Sequence, residues 1–134
     1  MIVLDASAAV ELVLQTPRAD RVAARALHPA ERIHAPYLID VELAQVLRRL
    51  VHAKELTPAR GALALSDFAE LVIERHPHHP LLGRIWSLRA SLTAYDAAYV
   101  ALAEALAAPM LTCDDKLARA HGHSARIELV PVGS

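Results

Sequence analysis

The stretch LTAYDAAYVALAEAL, residues 92–106, is rich in alanine and leucine and carries one carboxylate near its start, Asp96. A pattern that is apolar almost all round predicts a helix in the core of a layered fold rather than on its surface. Thr93 suits the N-cap of this helix, and Asp96, three residues later, suits the acidic position of a capping box. Helix capping alone would explain Asp96, so a function for it depends on its surroundings.

The residues that follow this helix indicate an α/β fold. Residues 107–109 (AAP) end the helix, and residues 110–112 (MLT) form a short apolar run that is typical of a buried strand. Asp114 and Asp115 come just after the carboxyl end of that strand, which is where open α/β sheets build their sites.

Strands and helices alternate along the whole chain. Strands are predicted at 1–4, 32–35, 110–112 and 126–130, with a brief edge strand within 73–80. Helices are predicted up to residue 14 and over 17–27, 36–53, 57–74, 81–89, 93–106 and 116–120. This order predicts one α/β domain, residues 1–134, with three layers: a mostly parallel sheet of four to five short strands, covered by helices on both faces.

The helix predicted over 36–53 carries two acids. Glu42 borders its buried face, although a Glu within a helix is most often a solvated residue. Asp40 lies in the first turn, where the helix dipole favours a carboxylate, so we keep it only as a supporting candidate. The apolar faces are Ile39, Leu43, Val46, Leu47 and Leu50 in this helix, and Leu63, Leu65, Phe68, Ala69 and Val72 in the helix over 57–74.

The composition predicts a globular cytoplasmic protein. Hydrophobic residues make up 54% of the chain and its mean hydropathy is +0.28, yet no apolar run approaches the roughly 20 residues that span a bilayer. Asp5 follows the first four residues directly, without a basic leader or a small-residue cleavage site, so we expect no signal peptide. The single cysteine, Cys113, excludes an internal disulfide framework and fits the cytoplasm.

Four acids can converge at one edge of the predicted sheet. Asp5, Asp114 and Asp115 all follow strand ends, and Asp96 begins the helix that leads to the strand at 110–112. Gathered carboxylates raise one another's pKa, so such a cluster predicts a neutralising cation. Mg²⁺ and Mn²⁺ prefer oxygen ligands, keep several waters and bridge to phosphates. The chemistry that follows is hydrolysis of a phosphodiester by a metal-activated water. For Asp5, as for Ser7 in the turn after it, helix capping remains the structural alternative.

Four segments resemble the PIN-domain ribonucleases, and among them the VapC toxins of type II toxin–antitoxin pairs. They are residues 3–8 (VLDASA), the helix of residues 36–50 that contains Glu42, residues 92–103 (LTAYDAAYVALA) and residues 111–114 (LTCD). The third segment is the most specific, and the resemblance covers nearly the whole chain.

The resemblance implies a PIN-like fold and a Mg²⁺- or Mn²⁺-dependent endoribonuclease that cuts structured RNA, such as tRNA or rRNA loops, and so inhibits translation and growth. The catalytic acids that it implies are Asp5, Glu42, Asp96 and Asp114, of which Asp5, Asp96 and Asp114 hold the metal. Ser7 and Thr112 would act as supporting hydroxyls, and Asp115 and Asp40 are further candidates for support. The partners that it implies are RNA, a VapB-type antitoxin and a second copy of the chain.

Basic residues are clustered although the net charge is −1. Candidates for a basic rim that binds RNA phosphates are Arg48, Arg49, Lys54, Arg84, Arg89, Lys116 and Arg119. Trp86 and Tyr37 could stack on bases, or could pack in the core or at an interface. We also expect the helices between Pro17 and Leu65 to offer the antitoxin groove, because one face of the helix over 36–53 is more apolar than the core requires.

Other functions remain open from the residues alone. The main alternative is a module of the same fold that binds RNA or an antitoxin without cutting. The acids do not exclude a nuclease that acts on DNA. A phosphoacceptor receiver domain is disfavoured, because only Asp5 follows the first strand and the second strand ends in Ala35-Pro36. A zinc or nickel site at His76, His78 and His79 is also disfavoured, because no carboxylate or Cys completes it at ligand spacing.

Overall fold

The computed structural model describes residues 1–132; the last two residues of the predicted domain lie outside this range. Five strands form in the described part of the chain: β1 (Ile2–Leu4), β2 (Ile33–Pro36), β3 (Ile73–His76), β4 (Met110–Thr112) and β5 (Ile127–Leu129). The α-helices of the same residues are α1 (Ala6–Leu14), α2 (Ala19–Ala26), α3 (Leu38–His52), α4 (Pro58–Glu70), α5 (Leu82–Ser87), α6 (Ala94–Leu106) and α7 (Asp115–Ala118). A short 3₁₀ turn, His79–Leu81, precedes α5.

The strands lie in the order β3-β2-β1-β4-β5, and every neighbouring pair is parallel. Parallel strands need crossover connections, and helices supply them here. The central strand β1 is completely buried along its length, which its apolar run allows because helices cover both faces. The three-layer α/β fold predicted from the sequence is confirmed, and the edge strand expected within 73–80 is β3.

Helix α6 forms the buried layer that its composition predicts. All residues from Ala97 to Ala103 are buried, and the helix packs against β1, β2, β4 and α5. Among the other helices, α1 contacts α2, α3 and α4 and packs against β4. The small side chains of α6 let it lie close to the sheet, and this fixes Asp96 near the strand ends. No helix within residues 1–132 is long and apolar enough to cross a membrane.

Several predicted helix boundaries were wrong by two residues or more, and those of α3 and α4 have a clear physical reason. Helix α3 begins at Leu38 rather than at Pro36, because Pro36 ends β2, opposite His76 of β3. Helix α4 ends at Glu70 rather than at residue 74, because the backbone becomes extended at Leu71 and the chain enters β3.

The predicted apolar face of α4 was also largely wrong. Its buried residues are Gly61, Ala64 and Phe68, whereas Leu63 and Leu65 are exposed. Val72, outside the helix, is 90% exposed. A Cβ on Gly61 would lie 3.2 Å from Val51 Cγ2, so the close approach of α4 to α3 selects small residues at this contact.

Candidate active site

The candidate site lies at the topological switch point of the sheet, where the strand order reverses. From β1 the chain adds β2 and β3 on one side, and β4 and β5 lie on the other side. The ends of β1 and β4 are adjacent: Leu4 lies opposite Leu111, and the Asp5 amide donates to the Leu111 carbonyl at 3.2 Å. In α/β folds such a switch point opens a crevice outside the carboxyl ends of the strands, where ligands bind.

Asp5 is fixed by three hydrogen bonds at the end of β1. Only 4% of its surface is exposed. Its Oδ1 accepts hydrogen bonds from the Ser7 hydroxyl at 2.7 Å and the Ala8 amide at 3.0 Å, and its Oδ2 accepts one from the Thr112 hydroxyl at 2.7 Å. Asp5 is therefore the N-cap of α1, but the bond from Thr112 joins it to the neighbouring strand, which a cap does not require.

The hydroxyls of Ser7 and Thr112 connect Asp5 to the backbone after β4. The Ser7 hydroxyl accepts a hydrogen bond from the Cys113 amide at 3.0 Å, and the Thr112 hydroxyl accepts one from the Asp114 amide at 3.0 Å. Each hydroxyl thus donates to Asp5 and accepts from the chain that leads into α7. Together they hold the Asp5 carboxylate in one orientation.

The other two aspartates lie at helix starts. Thr93 is the N-cap of α6 as predicted, and its Oγ1 accepts from the Asp96 amide at 3.1 Å. Asp114 is the N-cap of α7, where its Oδ1 accepts from the amides of Lys116 at 2.9 Å and Leu117 at 3.3 Å. This cap uses one carboxylate oxygen of Asp114, so its Oδ2 remains available to face another group.

Glu42 reaches the site from α3 and faces Tyr99 of α6. The two side chains interact electrostatically, and Glu42 also lies within the field of Asp96. Glu42 Oε1 and the Tyr99 hydroxyl are both buried, and neither makes a well-formed hydrogen bond with any group of residues 1–132. The sequence analysis missed Tyr99. Its spacing of three residues from Asp96, which puts both on one face of α6, could have identified it.

The acids of the site share one electrostatic environment. Burial raises the pKa of Asp5 to about 6 against the effect of its three hydrogen bonds, and the charge of Asp96 raises it further. Burial, and then the charge of Asp114, raise the pKa of Asp96. Burial and the charge of Asp96 also raise the pKa of Glu42. Carboxylates that raise one another's pKa in this way would be stabilised by a cation.

The donor set suits a hard divalent ion that retains much of its water. Among residues 1–132, no three His, Cys, Asp or Glu side chains converge into a ready-made metal cage. Mg²⁺ does not need one, because it commonly binds through one or two carboxylates and keeps several waters. The unpartnered Oε1 of Glu42 adds a buried oxygen that can accept a hydrogen bond from such a water. These residues therefore fit Mg²⁺ or Mn²⁺.

Two further predicted acids are bound to arginines. Asp40 accepts two hydrogen bonds of 2.8 Å from the guanidinium of Arg75, which joins α3 to β3. Asp115 pairs with Arg119 one turn later in the chain, at 3.0 Å, and both side chains are exposed. A supporting role for either acid at the site stays a prediction.

The predicted basic residues differ in the contacts that their side chains make. Arg84 makes a two-pronged ion pair with Glu104, at 2.8 and 2.9 Å, and contacts the Gly122 carbonyl, so it serves the packing of α5 against α6. The guanidinium of Arg89 lies 4.6 Å from the centre of the exposed Trp86 ring. Lys116 lies near enough to Asp96 to oppose the rise in its pKa. Arg48 and Arg49 are exposed on α3.

The histidines near β3 interact with one another. His76 Nε2 lies 2.8 Å from Nδ1 of the buried His34, and the two rings stack. His78 and His79 are exposed. Within residues 1–132 these side chains are not part of any group of three that could hold a metal.

Comparison with known sequences identifies a family and relatives of nearly the same length. A family model described as the PIN domain matches residues 2–122. Ribonuclease VapC12 of Mycobacterium tuberculosis is 46% identical over 130 residues, which are 97% of this chain and 99% of that protein. Ribonuclease VapC9 of the same organism is 44% identical over 131 residues, which are 98% and 99% of the two chains.

Solved structures share the fold at low sequence identity. VapBC2 of Rickettsia felis, bound to a DNA fragment from its promoter, superposes with a TM-score of 0.69 at 17% identity and covers 96% of this chain and 98% of its own. VapC20 of M. tuberculosis, a sarcin-ricin loop cleaving toxin, also gives 0.69, at 13% identity, with 88% and 93% covered.

Proposed function

Because the chain belongs to the PIN-domain family, and within it to the VapC ribonucleases, we propose that it is the toxin of a type II toxin–antitoxin pair. It acts in the cytoplasm, as a single domain, as a Mg²⁺- or Mn²⁺-dependent endoribonuclease on loops of structured RNA such as tRNA or rRNA. Cleavage of such RNA inhibits translation and growth. The observation that carries this proposal is the fixed, buried Asp5 carboxylate at the β1–β4 switch point, beside Asp96 and Asp114.

In this function Asp5, Asp96 and Asp114 hold the metal, and Glu42 is the fourth catalytic acid. When bound, the ion would supply positive charge for the phosphodiester and a water of lowered pKa as the nucleophile. Ser7 and Thr112 keep Asp5 oriented, so that little reorganisation is needed when substrate arrives. Glu42 Oε1, which is buried and unpartnered, can accept a proton at the site.

Basic side chains around the acids bind RNA phosphates. Lys116 is the best placed, because it lies near Asp96. Arg89, Arg48 and Arg49 extend the proposed contact surface, since no ion pair with an acid engages them within residues 1–132. For Arg84 to bind a phosphate in the same way, its guanidinium would have to leave its ion pair with Glu104.

A VapB-type antitoxin and a second copy of the chain are the proposed protein partners. A groove of about 320 Å³ runs between α3 and α4, and its lining is mostly apolar, including Leu47, Val51 and Leu65. Val41 and Leu63, also on α3 and α4, are more than half exposed. These surfaces would suit an amphipathic segment of the antitoxin.

The test is cleavage of total cellular RNA by the purified protein with Mg²⁺, with Mn²⁺ and with EDTA. We expect discrete fragments only with metal, and none from folded Asp5→Asn or Asp96→Asn variants. Asp67→Asn, which changes an exposed acid of α4, is the matched control and should cleave normally. If the wild type binds RNA without cutting it under any of these conditions, the chain is a binding module instead. If it cuts DNA as readily as RNA, the assignment of RNA as substrate fails.

A further inference from the structure

Tyr99 places an unpaired hydroxyl in the protein interior. Its side chain is 1% exposed, and its hydroxyl finds no well-formed hydrogen bond among residues 1–132. A buried hydroxyl without a partner typically costs about 1–3 kcal/mol, and a phenylalanine would fill the same space without that penalty. Packing alone therefore does not explain a tyrosine at this position.

The groups nearest to this hydroxyl belong to the acidic site. Tyr99 lies three residues after Asp96, so both project from the same face of α6. Glu42 approaches from α3, and its Oε1 is the other buried polar atom at this place without a partner. Tyr99 also lies in the fields of Asp5 and Asp96, and burial together with Glu42 raises its pKa far above the usual range. The hydroxyl thus keeps its proton and can only donate toward a carboxylate.

Glu42 needs such a donor more than Asp5 and Asp114 do. Asp5 is held by three hydrogen bonds, and Asp114 by two backbone amides. Glu42 has a longer side chain, and no hydrogen bond fixes its Oε1. Without a donor, the carboxylate could turn away from Asp96.

We propose that Tyr99 is a positioning residue that acts through Glu42: its hydroxyl donates to the Glu42 carboxylate and holds it facing Asp96. The proposal deepens the proposed function and rests on it for the catalytic consequence, whereas the contact itself does not depend on RNA cleavage. Substrate binding at the basic rim does not involve this pair, so Tyr99 affects the chemical step rather than the affinity for RNA.

The kinetic test is a cycle of Tyr99→Phe, Glu42→Gln and the double variant, with Tyr95→Phe as the control. Tyr95 lies on the same helix but is exposed. We expect Tyr99→Phe to lower kcat about tenfold or more with little change in KM, since it removes a hydrogen bond to a charged group. In the Glu42→Gln background the same change should cost little further activity. A loss of equal size in both backgrounds, or an unchanged kcat, would overturn the proposal.

The contact can be measured without metal or RNA. The chain has three tyrosines, so ¹³Cζ labelling gives three signals, which single Tyr→Phe variants assign. We expect the Tyr99 signal to shift in Glu42→Gln and the Tyr37 and Tyr95 signals to stay. If the Tyr99 signal does not move, the two groups do not interact and the proposal is wrong. If wild-type protein cuts no RNA but the Tyr99 signal shifts, the proposed function fails and the positioning of Glu42 stands.

Discussion

At the scale of single residues, the site combines a well-oriented carboxylate with an unfavourable charge. Asp5 accepts three hydrogen bonds, which favour its ionised form, yet burial outweighs them and its pKa rises to about 6. In a folded protein a raised carboxyl pKa means that ionisation opposes folding. The fold therefore keeps an ionised carboxylate at the site at a cost in stability at neutral pH. There the charge can bind a cation.

This conflict predicts that Asp5→Asn stabilises the metal-free protein. The native pKa of about 6 exceeds the ordinary Asp value of 3.8, so the contribution of Asp5 to stability is complete below pH 3.8 and is lost as the pH rises through about 6. At pH 7.5 we expect Asp5→Asn to raise the free energy of unfolding by up to about 3 kcal/mol, because a rise of this size in the pKa corresponds to roughly that energy. Urea unfolding in EDTA measures it.

The pH dependence separates this effect from a change in packing. The advantage of Asp5→Asn should shrink as the pH falls toward 4, because the wild-type carboxyl is then protonated as well. If the Asp5→Asn variant is less stable than wild type at pH 7.5, the hydrogen bonds of the Asp5 carboxylate to Ser7 and Thr112 outweigh the cost of burying its charge.

Single residues also show what the sequence could and could not predict. Asp5, Asp96 and Asp114 were singled out as candidates because strand ends and helix starts are visible in a hydrophobic pattern. Glu42 was singled out only through the family resemblance, since an acid within a helix has no such mark. Tyr99 looked like one more apolar residue of α6, because Glu42, its proposed partner, lies on another helix, 57 positions earlier in the chain.

At the scale of elements, the order of strands and helices followed from apolar runs, and the family resemblance is confirmed by the PIN-domain match over residues 2–122. The end of α4 was misplaced because residues 71–74 continue a helical spacing, although pairing of β3 with β2 extends the backbone. Ion pairs such as Asp40 with Arg75 and Arg84 with Glu104 could not be predicted, because they join distant positions on different elements.

The edge of the sheet contains a pH-sensitive contact. His34 of β2 is buried and shares a hydrogen bond with His76 of β3, while Glu74 lies 3.5 Å from its other ring nitrogen. Burial lowers the pKa of His34, as do the charges of His76, the terminal amino group and Arg32, and Glu74 opposes them. The folded protein therefore binds a proton at His34 less readily than the unfolded chain does.

We predict that protonation of His34 weakens the pairing of β2 with β3 in acid. Since the native pKa of His34 lies below the ordinary His value of 6.5, its contribution to stability is complete above pH 6.5 and is lost as the pH falls through the native pKa. His34→Gln can keep a hydrogen bond to His76 but does not titrate. Between pH 7.5 and 5.0 we expect wild type to lose more unfolding free energy than His34→Gln.

The control for this comparison is His78→Gln, which changes an exposed histidine just beyond β3. It should follow the wild-type curve. Equal pH dependence of wild type and His34→Gln would show that His34 does not govern the acid sensitivity of this edge.

At the scale of the whole molecule, the acids come from segments on both sides of the switch point. Asp5 follows β1, Glu42 is carried by α3 after β2, and Asp96 and Asp114 flank β4. Their mutual repulsion opposes the packing of these segments around the crevice. A cation that binds the folded chain, but not the unfolded one, reverses this effect and couples site occupancy to global stability.

We therefore predict that Mn²⁺ or Mg²⁺ raises the melting temperature of the protein at pH 7.5. A ligand at 100 times its Kd adds about 2.7 kcal/mol to the free energy of unfolding. The gain should be much smaller in Asp96→Asn, which removes one proposed ligand, and unchanged in Asp67→Asn. Differential scanning fluorimetry over a series of metal concentrations measures the shift and gives an apparent Kd.

Simple screening of the acids by salt must be separated from binding. Sodium chloride at the same ionic strength reduces repulsion between exposed charges but much less between buried ones. If sodium chloride stabilises as much as Mn²⁺ does, or if Asp96→Asn responds as wild type, the acids are a charged surface and not a metal site. A shift that saturates with Mn²⁺ and depends on Asp96 would instead show that these separate segments form one site only when the chain is folded around its cation.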